Sequence, residues 1–409
     1  MTLQPALAHD AFCRPLAADG QSLSYLCGHS LGLAPRAAAE RVAHEMHRWA
    51  TLGVRGHFEG ADRGDTPWAQ ASEPLRAPLA RLVGASVDEV VAMNSLSVNL
   101  HLLLLSFFRP QGARSRVLLG RHAFPSDRLA LESQCRLHGL DPAACLVEAQ
   151  ATEGVSMTDA VLRELHRHGE RVALVWLDAV DYTTGEVVDI GRVARAAQAA
   201  GARVGFDLAH AIGNLPLALS EDGVDFAVWC GYKYLNGGPG GLGGAFVHRR
   251  FHDDAQLQRL EGWWGQAAGS RFAWGQQPRE REPGAGAWQL SNPPVLAAAA
   301  LAASLELFDR FPASTWRARS LALTALARDS IEALDRPPLR ILTPADPARR
   351  GSQLSLDLPG QAVAMEHALL RHGVVCDARG ANILRVSFCP LYNDADDVRA
   401  LAQALEQLL

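Results

Sequence analysis

Apolar runs alternate with amphipathic stretches along the chain, and the alternation predicts a fold class. Residues 171–178, RVALVWLD, form an apolar run of strand length. Residues 191–202, GRVARAAQAAGA, space their apolar positions helically and end at a glycine, so they predict an amphipathic helix. Residues 203–210, RVGFDLAH, predict a second strand with a polar end. Residues 224–234, VDFAVWCGYKY, and 243–250, GGAFVHRR, predict a third and a fourth. Strands alternating with helices predict the α/β class, a mostly parallel sheet flanked by helices. Functional groups in such sheets collect beyond the carboxyl ends of the strands. Asp207, His210 and Lys233 fall at such ends.

Upstream, SVDEVVAMNSLSVNLHLLLLSFFRP predicts a short strand around Val90–Met93, then Asn94-Ser95-Leu96-Ser97, then a helix. Its apolar run, Leu100 to Phe108, is too short to span a bilayer and predicts a buried helix. RHAFPSDRLALESQ puts Phe124 and Asp127 at the entry of another helix. The C-terminal part changes character. RGSQLSLDLPG, QAVAMEHALLRHGVVCDAR, NILRVSFCPLYND and DADDVRALAQALEQLL predict a compact α+β unit. Residues 265–288, rich in Gly, Pro and charge, predict an active-site or subunit-contact loop.

Composition narrows the function classes. The chain has 409 residues, 48% hydrophobic and 20% charged, with net charge −5. That length predicts one large and one smaller domain. The mild negative charge, with no basic tract, argues against a nucleic-acid partner. The opening MTLQPALAHDAFCRPL has no basic start followed by an apolar core, so it does not predict a signal peptide. Seven cysteines without CxxC spacing argue against a disulfide framework or a zinc cluster. They predict no metal site and fit a reducing cytoplasm.

Of the 39 basic residues counted as Lys plus Arg, one is lysine, Lys233. Coding bias explains the arginines but not the survivor, because arginine serves surface charge equally well. Lysine alone can lose its proton at accessible pH and attack a carbonyl as a free amine. A lone lysine in a Gly-rich turn, CGYKYLNGGPGG, therefore predicts a Schiff-base lysine.

Pyridoxal phosphate is the cofactor such a lysine suggests, and it makes demands. An acid must stand by the pyridine nitrogen, and Asp207 suits. Phe124 and His210 are candidates to cover the ring. Leu96 and Ser97 at a helix start, with Tyr232, offer donors for the phosphate. The glycines after Lys233 let the backbone turn tightly. Each residue also has a bland reading. Asp207 can be an acid paired with arginine, His210 a core histidine, Tyr232 packing, and the serines an ordinary cap.

Several motifs carry a resemblance: DFAVWCGYKYLNGGPGG, GFDLAHAIGN, FPSD, QLSNPP, RGSQLSL, HGVVCD and PLYN. Together they resemble kynureninase, a pyridoxal-phosphate enzyme of the aspartate-aminotransferase fold. The resemblance runs from YLCGHSLGL at residue 25 to the last helix. It implies fold type I, a large domain with a mostly parallel seven-stranded sheet and a smaller α+β C-terminal domain. The implied division is 1–60 as an N-terminal arm and part of the small domain, 61–294 as the cofactor domain, and 295–409 as the small domain. It also implies hydrolytic Cβ–Cγ cleavage of L-kynurenine or 3-hydroxy-L-kynurenine, giving (3-hydroxy)anthranilate and L-alanine. Lys233 then carries the cofactor and moves the Cα proton, and Asp207 pairs with the pyridine nitrogen. Leu96, Ser97 and Tyr232 hold the phosphate, Phe124 stacks on the ring, and Asp127 and His210 lie close by. Trp263 and Asn292 match cofactor-contacting positions supplied across a homodimer interface. Arg385 matches the clamp for the substrate α-carboxylate, a bidentate task suited to arginine. His57, Ser291 and Asn292 match positions lining the substrate ring.

Three departures from the family pattern touch the substrate side. GHSLGL has His29 where asparagine is usual, GWWGQ has Gln266 where histidine is usual, and DAVDYTTG brings in Asp178 and Asp181. They leave room for a paralogue acting on a modified kynurenine or another 2-amino-4-oxo acid. A cysteine desulfurase or lyase shares the fold but needs a mobile nucleophilic cysteine. Cys230 and Cys389 lie near strand ends, outside any obvious mobile loop. An aminotransferase would need a keto acid. A non-enzymatic binding protein has no use for the retained Lys233.

Overall fold

A computed structural model describes residues 6–152, 154–272, 275, 280–337 and 339–409. Seven strands form its main sheet: β1 (Val90–Ala92), β2 (Arg116–Gly120), β3 (Leu146–Ala149), β4 (Val172–Asp178), β5 (Arg203–Asp207), β6 (Phe226–Trp229) and β7 (Gly244–Val247). Their spatial order is β1-β7-β6-β5-β4-β2-β3. Strands β2 to β6 pair in parallel, and β7 is antiparallel to both β6 and β1. Strand β4 is buried from Val172 to Leu177, as expected of a strand covered on both faces. Along β2, Leu118 enters the core on one side of the sheet while Val117 and Leu119 enter the core on the other.

The longer helices are α1 (Arg36–Leu52), α2 (Glu73–Val83), α3 (Leu96–Phe107), α4 (Pro125–Leu137), α5 (Met157–His168), α6 (Ile190–Ala199), α7 (Val295–Asp309), α8 (Ala313–Glu332), α9 (Ala362–Arg371) and α10 (Ala395–Leu408). Helix α6 starts where the Asp189 side chain accepts from the Arg192 N–H, and it ends before Gly201 at φ 76°. Helix α3 is the expected buried helix, with Leu100, Leu103, Leu104 and Phe107 wholly inaccessible. Among the described residues no helix is long and apolar enough to cross a membrane.

A second sheet of β8 (Arg340–Ile341), β9 (Gln353–Asp357), β10 (Asp377–Arg379) and β11 (Ile383–Ser387) is antiparallel in the order β8-β9-β11-β10. Its core gathers Leu323 of α8, Leu369 of α9 and Leu401 of α10 around Leu354, Leu356, Leu384 and Val386. Leu26 of the N-terminal arm joins that core, and Ser24–Tyr25 pair in parallel with Val374–Val375. Helix α7 packs the other way: its Leu301, Leu305 and Phe308 belong to the core of the large sheet.

The two parts are tied together beside the carboxyl end of β4. After Asp178 the chain turns through residues 181–185. The Tyr182 carbonyl accepts from Arg385 Nη1 at 2.8 Å and Gln353 Nε2 at 3.2 Å, and the Thr184 carbonyl accepts from the Thr343 hydroxyl at 2.6 Å. Tyr234 and Ser387 add a hydroxyl pair at 2.9 Å.

Candidate active site

Parallel strands deliver their C-terminal residues to one edge, and register decides which ones meet. Asp178 and Asp207 are direct partners on β4 and β5, so both carboxylates leave the sheet at the same level. Asp127 comes from the first turn of α4, 2 residues after Pro125, and receives Trp176 Nε1 on Oδ2 at 2.9 Å. Carboxylate oxygens of Asp127, Asp178 and Asp207 lie within 4.8 Å of one another.

Lys233 follows β6 and faces this group. Phe124, Asp178, Val180, Tyr182, Asp207, Ala209, His210 and Lys233 line one narrow cleft. Lys233 Nζ stands 5.6 Å from the centroid of the Phe124 ring, and that ring meets Tyr182 edge-on at 5.3 Å. Asp207 Oδ1 accepts from the Ala209 N–H at 2.6 Å. Burial raises the Asp207 pKa, against the opposing pull of Lys233. Burial and the neighbouring acids also hold Asp127 and Asp178 well above the usual carboxylate range. Burial, with Lys233 and Arg385 adding to it, keeps the His210 imidazole well below its ordinary value. Three carboxylates around one ammonium leave the cluster short of positive charge.

The lysine loop is placed by close backbone approach. Gly32 N–H donates to the Tyr232 carbonyl at 2.8 Å. A Cβ on Gly32 would lie 2.2 Å from Asn236 Oδ1 and 2.3 Å from the Lys233 carbonyl, so only glycine fits. Asn236 itself takes φ 52°, the left-handed turn that closes the loop.

The residues fit pyridoxal phosphate on observations independent of any name. Asp127 Oδ1, Asp178 Oδ1 and His210 Nδ1 are buried atoms without a hydrogen-bond partner around the only lysine. Buried polar atoms of this kind are normally satisfied, so they mark a place for a polar group. Helix α3 begins at Leu96 with no side chain capping it, which leaves its first N–H groups for an anion. Ser97 sits there, its hydroxyl 2.9 Å from that of Ser126.

The sequence-predicted residues divide into groups. Phe124, Asp207, His210 and Lys233 share the cleft, with Asp127 behind it. Leu96 and Ser97 stand at the head of α3, and Tyr232 is half-buried next to the lysine, its phenol pKa raised by burial. Arg385 is 1% exposed and lies behind the Tyr182 carbonyl rather than on the cleft wall. His57, Trp263, Ser291 and Asn292 do not line the cleft. They occupy a second patch. His57 touches Phe58, Phe58 touches Phe272 and Phe272 touches Trp263, with ring centroids 6.2, 5.2 and 5.7 Å apart. Gly262 packs on Leu290, which brings the exposed Ser291 and Asn292 alongside Trp263.

Of the departures, Asp178 stands in the cleft as expected of an acid near the cofactor, whereas Asp181, His29 and Gln266 do not line it. Asp181 does not enter the cleft. Its Oδ1 accepts from the Thr183 and Thr184 N–H groups at 2.8 Å each, and Oδ2 lies 3.5 Å from His122. It shapes the turn that carries Tyr182. His29 is wholly buried against Asp377. Gln266 follows the Trp263–Gly265 turn, and its carbonyl accepts from Arg271 at 3.1 Å. The loop expected over 265–288 is described in part; residues 273, 274 and 276–279 lie outside the described residues. Sequence reasoning placed Asp178 at a strand end near the cofactor, and it lines the cleft, but its pairing with Asp207 was not foreseen. The available signal was that both 172–178 and 203–207 end in aspartate, which parallel register places side by side.

The desulfurase alternative meets a physical obstacle. Cys230 and Cys389 are buried, and burial pushes their thiols up to about 11 and about 12. Neither is a ready nucleophile.

Similarity to known proteins agrees with the site. The family model for the kynureninase C-terminal domain matches residues 316–405. A kynureninase from Xanthomonas euvesicatoria is 49% identical over 404 residues, covering 97% of this chain and 93% of that protein. One from Myxococcus xanthus is 46% identical over 399 residues, covering 97% and 92%. Solved structures of cysteine desulfurases share the fold at low identity. The Thermococcus onnurineus protein gives TM-score 0.78 at 17% identity over 94% of each chain. The Escherichia coli protein gives TM-score 0.77 at 20% identity over 98% of this chain and 96% of its own. The cofactor domain, its lone lysine and these full-length relatives together assign the chain to the kynureninase family.

Proposed function

We propose that the protein hydrolyses the Cβ–Cγ bond of L-kynurenine and of 3-hydroxy-L-kynurenine, releasing L-alanine and anthranilate or 3-hydroxyanthranilate. The observation that carries this reading is the single lysine of the chain, set against three carboxylates and the Phe124 ring at the carboxyl edge of the sheet.

Pyridoxal phosphate, when bound, supplies the electron sink that accepts the pair left at Cα. Lys233 would hold it through Nζ, and the same amine is placed to remove and return the Cα proton. Asp207 would pair with the ring nitrogen and favour its protonated form; burial raises its own pKa, and Lys233 opposes that rise. Asp127 stands behind Asp207 on the Trp176 indole. Phe124 and His210 bound the space for the ring. Leu96 and Ser97 at the start of α3, with Tyr232, offer donors to the phosphate. Arg385 receives the substrate carboxylate. Water adds to the γ-carbonyl, the Cβ–Cγ bond breaks, and the aromatic acid leaves while Cβ takes up a proton.

The second patch supports a homodimer with shared sites. Phe58 is 63% exposed, Val54 76% and Trp49 63%, an apolar surface beside His57 and Trp263 that a partner would cover. A two-fold partner would then bring His57, Trp263, Ser291 and Asn292 to the other subunit's cleft. A reducing cytoplasm is part of the same proposal, supported by seven free cysteines.

The test is product formation by the loaded protein with each ketone separately, using Lys233→Arg as the blank. Alanine and the matching anthranilate in equal amounts are expected, and their rates rank the two substrates. Alanine from L-cysteine alone, or product that needs a keto acid, would replace this reading with a desulfurase or an aminotransferase.

A further inference from the structure

Behind Tyr182 lies a polar chain of which the roles above use Arg385 alone. Arg385 grips Asp377 side-on: Nε reaches Oδ1 at 2.8 Å and Nη2 reaches Oδ2 at 2.6 Å. Its Nη1 donates to the carbonyl of Tyr182, a residue of the cleft wall, at 2.8 Å. Asp377 is itself contested. Arg379, an exposed side chain, reaches Oδ2 at 3.0 Å and would draw the carboxylate toward the surface. From the interior, His29 Nε2 holds Oδ1 at 2.9 Å, and the Ser30 hydroxyl donates to Oδ2.

His29 is 0% exposed, and its other nitrogen, Nδ1, is buried without a partner. A side chain present only to fill space would not leave an unsatisfied nitrogen in the interior, because an apolar residue of that size avoids the cost. The polar character of His29 is thus directed at one bond, to Asp377. The ring also stands 6.2 Å from that of His210 on the cleft wall. The segment carrying it is fixed at both ends, by Gly28 against the Tyr392 hydroxyl and by Gly32 against the lysine loop.

We propose that His29 is a positioning residue for the substrate α-carboxylate: through Asp377 it holds Arg385 in the orientation that receives that group. The inference rests on the reading of Arg385 as the clamp. Burial and Arg385 keep the imidazole down at about 4, so at neutral pH it donates to Asp377 without adding a competing cation.

The experiment compares His29→Leu, His29→Gln and Arg385→Gln in the loaded protein. It measures KM and kcat for L-kynurenine, and inhibition by kynuramine, the same amino ketone without the carboxylate. In His29→Leu the kynurenine KM rises about tenfold, the size expected for one hydrogen bond to a charged group, with the loss carried by KM rather than kcat. Inhibition by kynuramine stays within about twofold, because that ligand has no carboxylate to be clamped. In His29→Gln, whose amide N–H reaches a similar distance, KM returns to within about threefold of the original. A wild-type KM in His29→Leu, an equal shift for kynuramine, or a His29→Gln enzyme as weak as His29→Leu overturns the proposal. Should the leucine variant not fold, His29→Met supplies the donor-free side chain. Arg385→Gln separates the two readings, with KM expected to rise about a hundredfold. If it does not, the clamp assignment fails; if it does while His29→Leu is silent, only the role of His29 fails.

Discussion

Replacing Asp178 by asparagine should stabilise the protein freed of its cofactor, and the gain should depend on pH. The carboxylate oxygens of Asp178, Asp207 and Asp127 lie within 4.8 Å of one another, with Lys233 as the cation among them. At an effective dielectric of about 20, two full charges at that separation repel by about 3 kcal/mol. The protein relieves part of this by holding protons, as the raised pKa of Asp178 records; burial and then Asp207 and Asp127 are its causes. A net gain of about 1–3 kcal/mol follows, or about 1–4 °C in the unfolding midpoint of a chain this long. The direction with pH is fixed by linkage. A carboxyl whose folded value lies above its unfolded value of 3.8 binds its proton more tightly when folded. Its stability contribution is therefore intact below that unfolded value and is lost as pH rises through the folded one. Asparagine suffers no such loss, so the advantage of Asp178→Asn should be small at pH 5 and larger at pH 8. Thermal unfolding of the cofactor-free proteins across that range is the assay. No gain at pH 8, or an equal gain at both ends, would refute the idea that these carboxylates strain one another.

Three further outcomes are expected. Gly32→Ala should displace the lysine loop, since its Cβ would stand 2.3 Å from the Lys233 carbonyl; activity and cofactor retention should fall together while the unfolding midpoint drops by a few degrees. Mixing Lys233→Arg with Asn292→Ala should regain up to about a quarter of wild-type activity if subunits share sites, because some mixed dimers then carry one intact cleft; recovery of none would place Asn292 outside the partner's site. Asp181→Asn should return His122 from its raised value toward 6.5, read by NMR titration of the imidazole, because the hydrogen bond that His122 donates to the Asp181 carboxylate is the main cause of the shift. The stability that this pair contributes through His122 is present below the unfolded value and is lost as pH rises through the folded one, so the two proteins should differ less in alkaline solution.

Much of this arrangement was legible in the chain because short-range signals determine it. The apolar run at 172–177 is what a strand covered on both faces requires, and the turn at Gly201 ends α6 as its sequence predicts. Lys233 stood out by arithmetic alone, and Asp207 by its place at a strand end. What sequence reasoning missed depends on register and on tertiary approach. Asp178 was expected at a strand end near the cofactor, but its pairing with Asp207 on the neighbouring strand was not, because nothing within residues 172–178 states it. Asp181 was expected toward the substrate, but two backbone N–H groups two and three residues later claim its carboxylate first. Local hydrogen bonding of that kind is the default for aspartate in a turn.

The N-terminal segment shows why a site of this type needs the whole chain. Residues 27–32 belong to neither sheet, yet they touch every part that must be held in register. Gly32 lies against the Lys233 carbonyl, His29 between His210 and Asp377, and Ser30 on Asp377 itself. Lys233 and His210 come from the large sheet, whereas Asp377 and Arg385 come from β10 and β11 of the small one. With the cofactor on the first and the substrate carboxylate on the second, as proposed above, a shift of either sheet by about an ångström would misplace Cα relative to Nζ. Direct contacts between the two sheets near the site, such as the pair of Tyr234 and Ser387, fix their separation. The glycines at 28 and 32 let a third strip of backbone wedge between them with no Cβ to keep it out, and His29 on that strip reaches the Asp377 carboxylate that Arg385 grips.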